Sequence, residues 1–136
     1  MRTVATYVEL YREEREDEMR VVLLAFGSDG SIQIQETTDG VWTRAIFGSL
    51  SRTHAILLDG IAAACLSREL GASNNKGLVD ALHTFFADGS FLCDLQDFLD
   101  IADITFAYSV VNGSYAALRP QVFERAGRVS QSFFQK

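Results

Sequence analysis

The sequence predicts a single α+β domain over residues 1–136, an antiparallel sheet of about four to five strands covered by three to four helices. Three observations lead to this fold class. The length is that of about one domain. Strand-like alternation fills the first third of the chain, and helical periodicity fills the middle third. Strands and helices that are segregated along the chain are typical of α+β proteins.

The first strands are predicted from alternation and from apolar runs. Residues 3–12 alternate, which places Leu10 on one side of a strand and Tyr11 on the other. Residues 13–18 (EEREDE) indicate a charged turn. Residues 21–26 (VVLLAF) are apolar on both faces, so we expect a central strand with neighbours on both sides.

Two further strands are predicted to complete a meander. Residues 31–37 alternate again after a glycine-rich turn. Asp39 and Gly40 then form a two-residue hairpin signal, because a type I′ turn needs positive φ at both positions. Residues 41–47, which include Trp42, would return as the fourth strand.

The next segment is ambiguous between a helix and a strand. Apolar residues recur at helical spacing over residues 51–66, with the first serine as N-cap. Asp59 and Gly60 interrupt this pattern. The alternative is therefore a short strand over residues 55–58, followed by a helix from Ile61.

Two more helices follow with clear boundaries. Asn74 would cap the first of them, and Gly89 would end it in the left-handed conformation. Ser90 would cap the next helix, over residues 91–102, which has the strongest amphipathic pattern of the chain.

The chain is predicted to end with one more strand and one more helix. The apolar run over residues 104–111 (ITFAYSVV) indicates a strand. Pro120 suits the first turn of a helix, where its missing N–H is no loss. The apolar face of this helix would be formed by Val122, Phe123, Ala126, Val129 and Phe133.

Negative charge is concentrated in one window of the chain. The net charge is −6, and residues 77–118 contain neither lysine nor arginine. Such a surface repels nucleic acid and attracts positively charged partners. The window contains six aspartates, which we predict to form a partner-binding surface: Asp80, Asp88, Asp94, Asp97, Asp100 and Asp103.

Four of these aspartates recur every third residue, from Asp94 to Asp103, and would wrap half of one helix on its solvent side. Like charges at this spacing oppose a helix, and aspartate is a poor residue for a helix interior. The alternative is a plain solvated face, although such a face more often mixes both signs. We therefore expect the negative electrostatic field of these aspartates to attract a protein partner that is rich in positive charge. A divalent metal is not indicated, because the chain has no Asp-x-Asp-x-Asp-Gly loop.

The residues that could support catalysis form no recognisable motif. Cys65, Cys93, His54 and His83 lack metal-ligand spacing, so no metal or other cofactor is predicted. The thiols are expected to be free and buried, which suits the cytoplasm. A pairing of Cys93 with His83 as a reactive thiol is the alternative, since the first turn of a helix can lower a thiol pKa.

Asp59 is the one carboxylate inside an apolar stretch and is the candidate for a raised pKa. A structural ion pair with Arg44 or Arg68 is the other interpretation. No run of apolar residues approaches the roughly 18 that cross a bilayer, and the N-terminus lacks the apolar block of a secretion signal. We therefore expect no membrane association and no catalytic residues.

In size, acidity and organisation the chain resembles bacterial immunity proteins, which inhibit cognate toxins. The acidic window over residues 77–118 carries this resemblance. It implies a cytoplasmic antitoxin whose partner is a basic toxin domain, because many such toxins are nucleases with basic clefts. One alternative is a small enzyme or ligand-binding domain with a pocket near Trp42, His54 and Asp59. Another is an assembly subunit that uses Phe133 and Phe134. The oligomeric state is left open.

Overall fold

The computed structural model describes residues 4–49, 51–112 and 124–125. The described chain has an α+β fold, as predicted, with one antiparallel sheet and a set of helices. The strands lie in the sheet in chain order: β1 (Val4–Arg15), β2 (Glu18–Gly27), β3 (Ile32–Gly40), β4 (Ser51–Leu58), β5 (Ala107–Asn112) and the short β6 (Glu124–Arg125). The helices are α1 (Val41–Phe47), α2 (Gly60–Glu69), α3 (Asn75–Ala87) and α4 (Leu92–Ile101).

The predicted central strand is confirmed, because β2 pairs with β1 on one side and β3 on the other. Val22 lies opposite Tyr11 of β1 and Glu36 of β3. One hydrophobic core joins one face of the sheet to the helical layer. Its fully buried members include Leu10, Val22, Leu24, Ile34, Ile56, Leu58, Leu66, Leu82, Phe86, Leu92, Leu95 and Leu99.

The strand predicted over residues 41–47 is wrong, because this segment is helix α1. Residues 39–40 form no hairpin turn; they stay in β3, where Gly40 pairs with Glu18 of β2. Gly40 has φ 142° and ψ −163°, a combination that is essentially restricted to glycine. The chain therefore leaves the sheet at this glycine instead of folding back along it.

Glu18 holds the first turn of α1 from the neighbouring strand. The backbone N–H groups of Trp42 and Thr43 donate to Glu18 Oε1 at 3.0 and 3.3 Å. The hydroxyl of Thr43 donates to the other carboxylate oxygen. A carboxylate at a helix N-terminus satisfies free N–H donors and opposes the helix dipole. This capping residue comes from a distant part of the sequence, so local patterns do not reveal it.

The continuous helix over residues 51–66 is also wrong. The alternative of a strand followed by a helix is confirmed in outline, as β4 and α2. Asp59 separates the two elements, and its carboxylate accepts a hydrogen bond from Ala62 N at 2.8 Å, which makes it the N-cap of α2. The side chain is exposed. Asp59 therefore lies in water as a helix cap and not inside an apolar stretch, contrary to the prediction.

The boundaries of α3 are confirmed, and one cap of α4 is not. Asn74 caps α3 by accepting from Gly77 N at 2.8 Å, and Gly89 follows the helix with φ 94°. The N-cap of α4 is Phe91 and not Ser90. Asp94 takes the capping role instead, because its carboxylate accepts from the backbone N–H of Phe91 at 2.7 Å.

The last part of the prediction is only partly within the described residues. The strand predicted over residues 104–111 begins later, as β5, while Ile104 and Phe106 are buried in the connection before it. The helix predicted from Pro120 is wrong at residues 124–125, which pair with the free edge of β5 as β6. The rest of that predicted helix, with Phe133 and Phe134, lies outside the described residues.

Candidate functional site

Four polar side chains on four adjacent strands form one buried hydrogen-bonded chain. Tyr108 Oη lies 3.0 Å from His54 Nδ1, and His54 Nε2 lies 2.6 Å from Glu36 Oε1. Arg20 Nε donates to Glu36 Oε2 at 2.8 Å. Arg20, Glu36 and His54 are each less than a tenth exposed. We refer to these four residues as the polar chain.

The strand register brings the polar chain together. Glu36 of β3 lies directly opposite His54 of β4. Arg20 is diagonal to Glu36, since its own partner on β3 is Thr38. Tyr108 of β5 is diagonal to His54 in the same way. Side chains two positions apart on a strand share a face, so the polar chain lies on the helix-covered face of the sheet.

The polar chain also fixes the start of α4. Glu36 Oε2 accepts a third hydrogen bond, from the backbone N–H of Leu92 at 3.3 Å. Arg20 Nη2 donates to the carbonyl oxygen of Ser90. A buried carboxylate that accepts several N–H groups keeps its charge because those donors replace water. The sheet and the first turn of α4 are therefore joined through one ion pair.

The polar chain has a definite protonation pattern. Burial alone would raise the pKa of Glu36, but the hydrogen bonds from His54 and Arg20 and the charge of Arg20 outweigh it and hold the pKa below its usual value. Burial lowers the pKa of His54, and the charge of Glu36 only partly opposes this. Burial raises the pKa of Tyr108. A carboxylate can only accept hydrogen bonds, so neutral His54 donates a hydrogen bond from Nε2 to Glu36. Its Nδ1 then accepts a hydrogen bond from the Tyr108 hydroxyl.

Arg20 connects the polar chain to the protein surface. Its guanidinium carbon lies 4.9 Å from the centre of the Tyr11 ring and 4.2 Å from that of the Phe91 ring. Tyr11 faces Arg20 because the register shifts between Glu9 and Tyr11, so that Tyr11 lies opposite Val22. This bulge corrects the predicted alternation, which placed Tyr11 on the other face.

A groove of about 260 Å³ opens beside Arg20. Its walls include Trp42 of α1, which is 63 % exposed, and Phe91, which is 49 % exposed. The remaining lining residues come from β1, β2 and β3: Glu13, Arg15, Glu18, Met19 and Thr38. We call this the aromatic groove. It replaces the predicted pocket near Trp42, His54 and Asp59, because His54 is buried in the polar chain and Asp59 caps α2.

The predicted aspartate surface is only partly uniform. Asp94, Asp97 and Asp103 are exposed, whereas Asp100 is half-buried. Asp103 lies beyond the end of α4, in a left-handed turn with φ 64°. Asp88 is exposed at the end of α3.

Asp80 and Asp94 also have local partners. Asp80 pairs with Lys76 at 3.2 Å, one turn earlier on α3, just outside the window that lacks basic residues. Asp94 caps α4. These two carboxylates therefore have a structural explanation of their own, while Asp88 and Asp97 add charge to the outer side of the helical layer.

The thiols are free, as expected, but they are less buried than expected. Cys65 is half-buried and Cys93 is exposed. Cys93 follows Leu92, whose side chain occupies the core-facing position. Partial burial raises the pKa of the Cys93 thiol, and the nearby carboxylates of Asp94 and Glu36 add to this effect. The environment therefore opposes the reactive thiolate that a helix N-terminus would favour.

The sequence patterns did not predict Arg20, Glu36 or Tyr108 as site residues, although a signal for two of them is present. Glu36 has the same alternation parity as Ile32 and Ile34, and Arg20 has that of the core residue Val22. A charged residue on a buried face indicates a partner. The identity of that partner depends on strand register, which the sequence patterns did not fix.

Comparison with known proteins adds no relative. Neither the known protein families, nor the curated proteins, nor the solved structures provide a match to this chain. In the part of the chain that the structure describes, no helix combines the length and hydropathy needed to cross a bilayer. The same residues contain no group of three or more His, Cys, Asp or Glu side chains arranged to hold a metal ion.

Proposed function

We propose that this chain binds and neutralises a basic protein partner, in the manner of a bacterial immunity protein that inhibits a cognate toxin. The observation that carries this proposal is the exposed acidity of the helical layer. Asp94 and Asp97 on α4, with Asp88 and Asp103 at the helix ends, are exposed in a window of sequence that lacks lysine and arginine. Such a surface accelerates association with a positively charged partner and disfavours acidic ones.

The proposal includes the setting in which the protein acts. A cytoplasmic immunity protein meets its toxin inside the cell, where free thiols such as those of Cys65 and Cys93 persist. A negative surface favours a basic protein over nucleic acid or an anionic membrane. The size of the chain and its charge support the resemblance to immunity proteins.

Binding without catalysis fits the placement of the titratable groups. His54 and Glu36 have the residue types of an acid–base pair, but they are 7 % and 4 % exposed. Both ring nitrogens of His54 are engaged within the polar chain. The pair therefore serves to hold α4 against the sheet, and α4 carries part of the acidic surface.

A second candidate is the binding of a small ligand in the aromatic groove, which the exposed rings of Trp42 and Phe91 favour. The volume decides against a large ligand. About 260 Å³ is below the roughly 300–1,000 Å³ of typical ligand pockets. The groove is better suited to a single side chain than to a whole cofactor.

The test compares the parent with an Asp88→Asn/Asp97→Asn variant. Both proteins are immobilised, host lysate is passed over them at low salt, and the retained proteins are identified. We expect the parent to retain a basic protein that associates roughly two- to tenfold more slowly with the variant at low ionic strength. Thermal unfolding should be unchanged, because both side chains are exposed.

A Glu9→Gln/Glu69→Gln variant is the matched control, since it changes the net charge equally at exposed sites on β1 and α2. It should associate like the parent. Expression of the captured partner alone should inhibit growth, and co-expression with this chain should restore it. Equal association of both variants, or capture of an acidic partner, would contradict the proposal.

A further inference from the structure

The aromatic groove contains two large aromatic side chains that remain exposed. One face of the Phe91 ring is covered by the Arg20 guanidinium at 4.2 Å, yet the side chain remains 49 % exposed. Trp42 forms part of the same lining and is 63 % exposed. Large aromatic residues held this far out of the core are typical of surfaces that bind a partner.

The cations that line the aromatic groove are already neutralised from within the protein. Arg15 Nε donates to Glu13 at 2.6 Å, and Arg20 pairs with the buried Glu36 at 2.8 Å. Arg20 is buried and Arg15 is exposed, and each guanidinium has an acidic partner within the protein. The field in the groove is set by the acidic groups around it.

Carboxylates border the aromatic groove on two sides. Of the five carboxylates in residues 13–18, Glu13 pairs with Arg15, Glu14 pairs with Arg12 and Glu18 caps α1. The turn residues Glu16 and Asp17 are exposed. Beside Phe91, the exposed carboxylate of Asp94 accepts the Phe91 backbone N–H at 2.7 Å. A cation that enters between the two rings is attracted by both acidic borders and by the negative faces of the rings.

We infer that the aromatic groove receives an arginine side chain of the basic partner, placed between Trp42 and Phe91. This inference rests on the proposed function. Arginine suits the groove better than lysine because its planar guanidinium stacks on aromatic rings and is more weakly hydrated. The helical acidic surface then sets the rate of encounter, and the groove adds a contact that depends on the side chain presented.

The chain offers a direct probe, because Trp42 is its only tryptophan. Two short peptides that alternate glycine with arginine or with lysine are titrated at low salt. Fluorescence anisotropy of labelled peptide measures binding, and tryptophan emission with unlabelled peptide measures occupancy of the groove. We expect Trp42 emission to change with the same midpoint as anisotropy, and the arginine peptide to bind about two- to fivefold more tightly than the lysine peptide.

A Trp42→Ala variant should weaken binding of the arginine peptide about three- to tenfold and remove most of its advantage over lysine. Thermal unfolding should be unchanged, because the variant keeps the backbone hydrogen bond to Glu18. An Ile46→Ala variant is the matched control. It removes another exposed apolar side chain of α1 that does not line the groove, so peptide binding should match the parent.

The outcomes separate the inference from the proposed function. Peptide binding seen by anisotropy, with unchanged Trp42 emission and no effect of Trp42→Ala, would overturn the groove inference and leave the acidic surface as the binding site. Equal affinity for the arginine and lysine peptides in both parent and variant would do the same. No anisotropy change with either peptide at low salt would overturn the proposed function and the inference together.

Discussion

Substitution of Glu36 by glutamine tests whether the polar chain holds the fold together. The carboxylate accepts hydrogen bonds from Arg20, His54 and the backbone N–H of Leu92. Glutamine keeps the size of the side chain but removes the charge. Its NH₂ group would also face one of the groups that donate a hydrogen bond to Glu36, so that two donors would meet without an acceptor. The Arg20 guanidinium, 6 % exposed, would then lack its counter-charge. Breaking a buried ion pair in this way costs about 3–5 kcal/mol, so we expect a loss of that size.

The measurement is urea unfolding of the parent and of Glu36→Gln, followed by far-UV circular dichroism. The matched control is Glu9→Gln, which removes a carboxylate that pairs with exposed Arg12 at 3.0 Å. An exposed pair contributes at most about 1 kcal/mol, so the control should unfold close to the parent. A loss below about 1 kcal/mol for Glu36→Gln, with the same denaturant slope, would refute the role given to the polar chain.

Three other predictions follow from local environments. Burial keeps the pKa of His54 below the ordinary 6.5, so His54 binds a proton at a higher pH in the unfolded chain than in the folded chain. The free energy of unfolding should therefore decrease as pH falls from about 7 to 5, and an unchanged value across that range would contradict this. Gly40→Ala should cost about 1–3 kcal/mol in urea unfolding, because a Cβ there would lie 2.3 Å from the backbone oxygen of Asp17 at φ 142°. Gly77 has no positive φ, so the control Gly77→Ala should be neutral or stabilising. Equal changes in the free energy of unfolding for the two variants would argue against backbone strain at position 40. Native Cys93 should react with a thiol reagent at pH 7 more slowly than in the unfolded chain, since its pKa is raised; faster reaction would contradict this.

Periodicity predicted the elements whose partners are local. The apolar run over residues 21–26 became the central strand β2, and residues of both alternation sets are buried, Val22 and Leu24 on one face and Val21 and Ala25 on the other. Asn74 became the cap of α3, because its hydrogen bond reaches only to Gly77. Both features are complete within a few residues of sequence, so the sequence contains the information needed to predict them.

Elements stabilised by distant residues were predicted wrongly. Residues 41–47 were expected to be a strand. The carboxylate that caps α1 belongs to Glu18 of another strand, so the neighbouring sequence contains no signal for the start of a helix. His54 was assigned to a helix because its apolar neighbours satisfy helical and strand spacing equally well. The segment forms a strand because it pairs with β3 on one side and β5 on the other. Tertiary pairing overrides local propensity in both cases.

The candidate site was predictable in its charge and not in its shape. The aspartates could be counted from the sequence, and most of them prove to be exposed. The aromatic groove was not predictable, because it needs Trp42 on a helix, Phe91 before α4 and the bulge that turns Tyr11 toward Arg20. Each of these depends on backbone geometry and not on residue type.

The order of the strands has a consequence for the folding reaction. β1 to β4 pair with neighbours that are close in sequence, so their contacts can form after small losses of chain entropy. β5 joins β4 only after a connection that contains α2, α3 and α4, and closing that long loop carries a larger entropic cost. The pairings of β1 to β4 can therefore form early, whereas the hydrogen bond between Tyr108 and His54 forms only when the loop that contains the helices has closed.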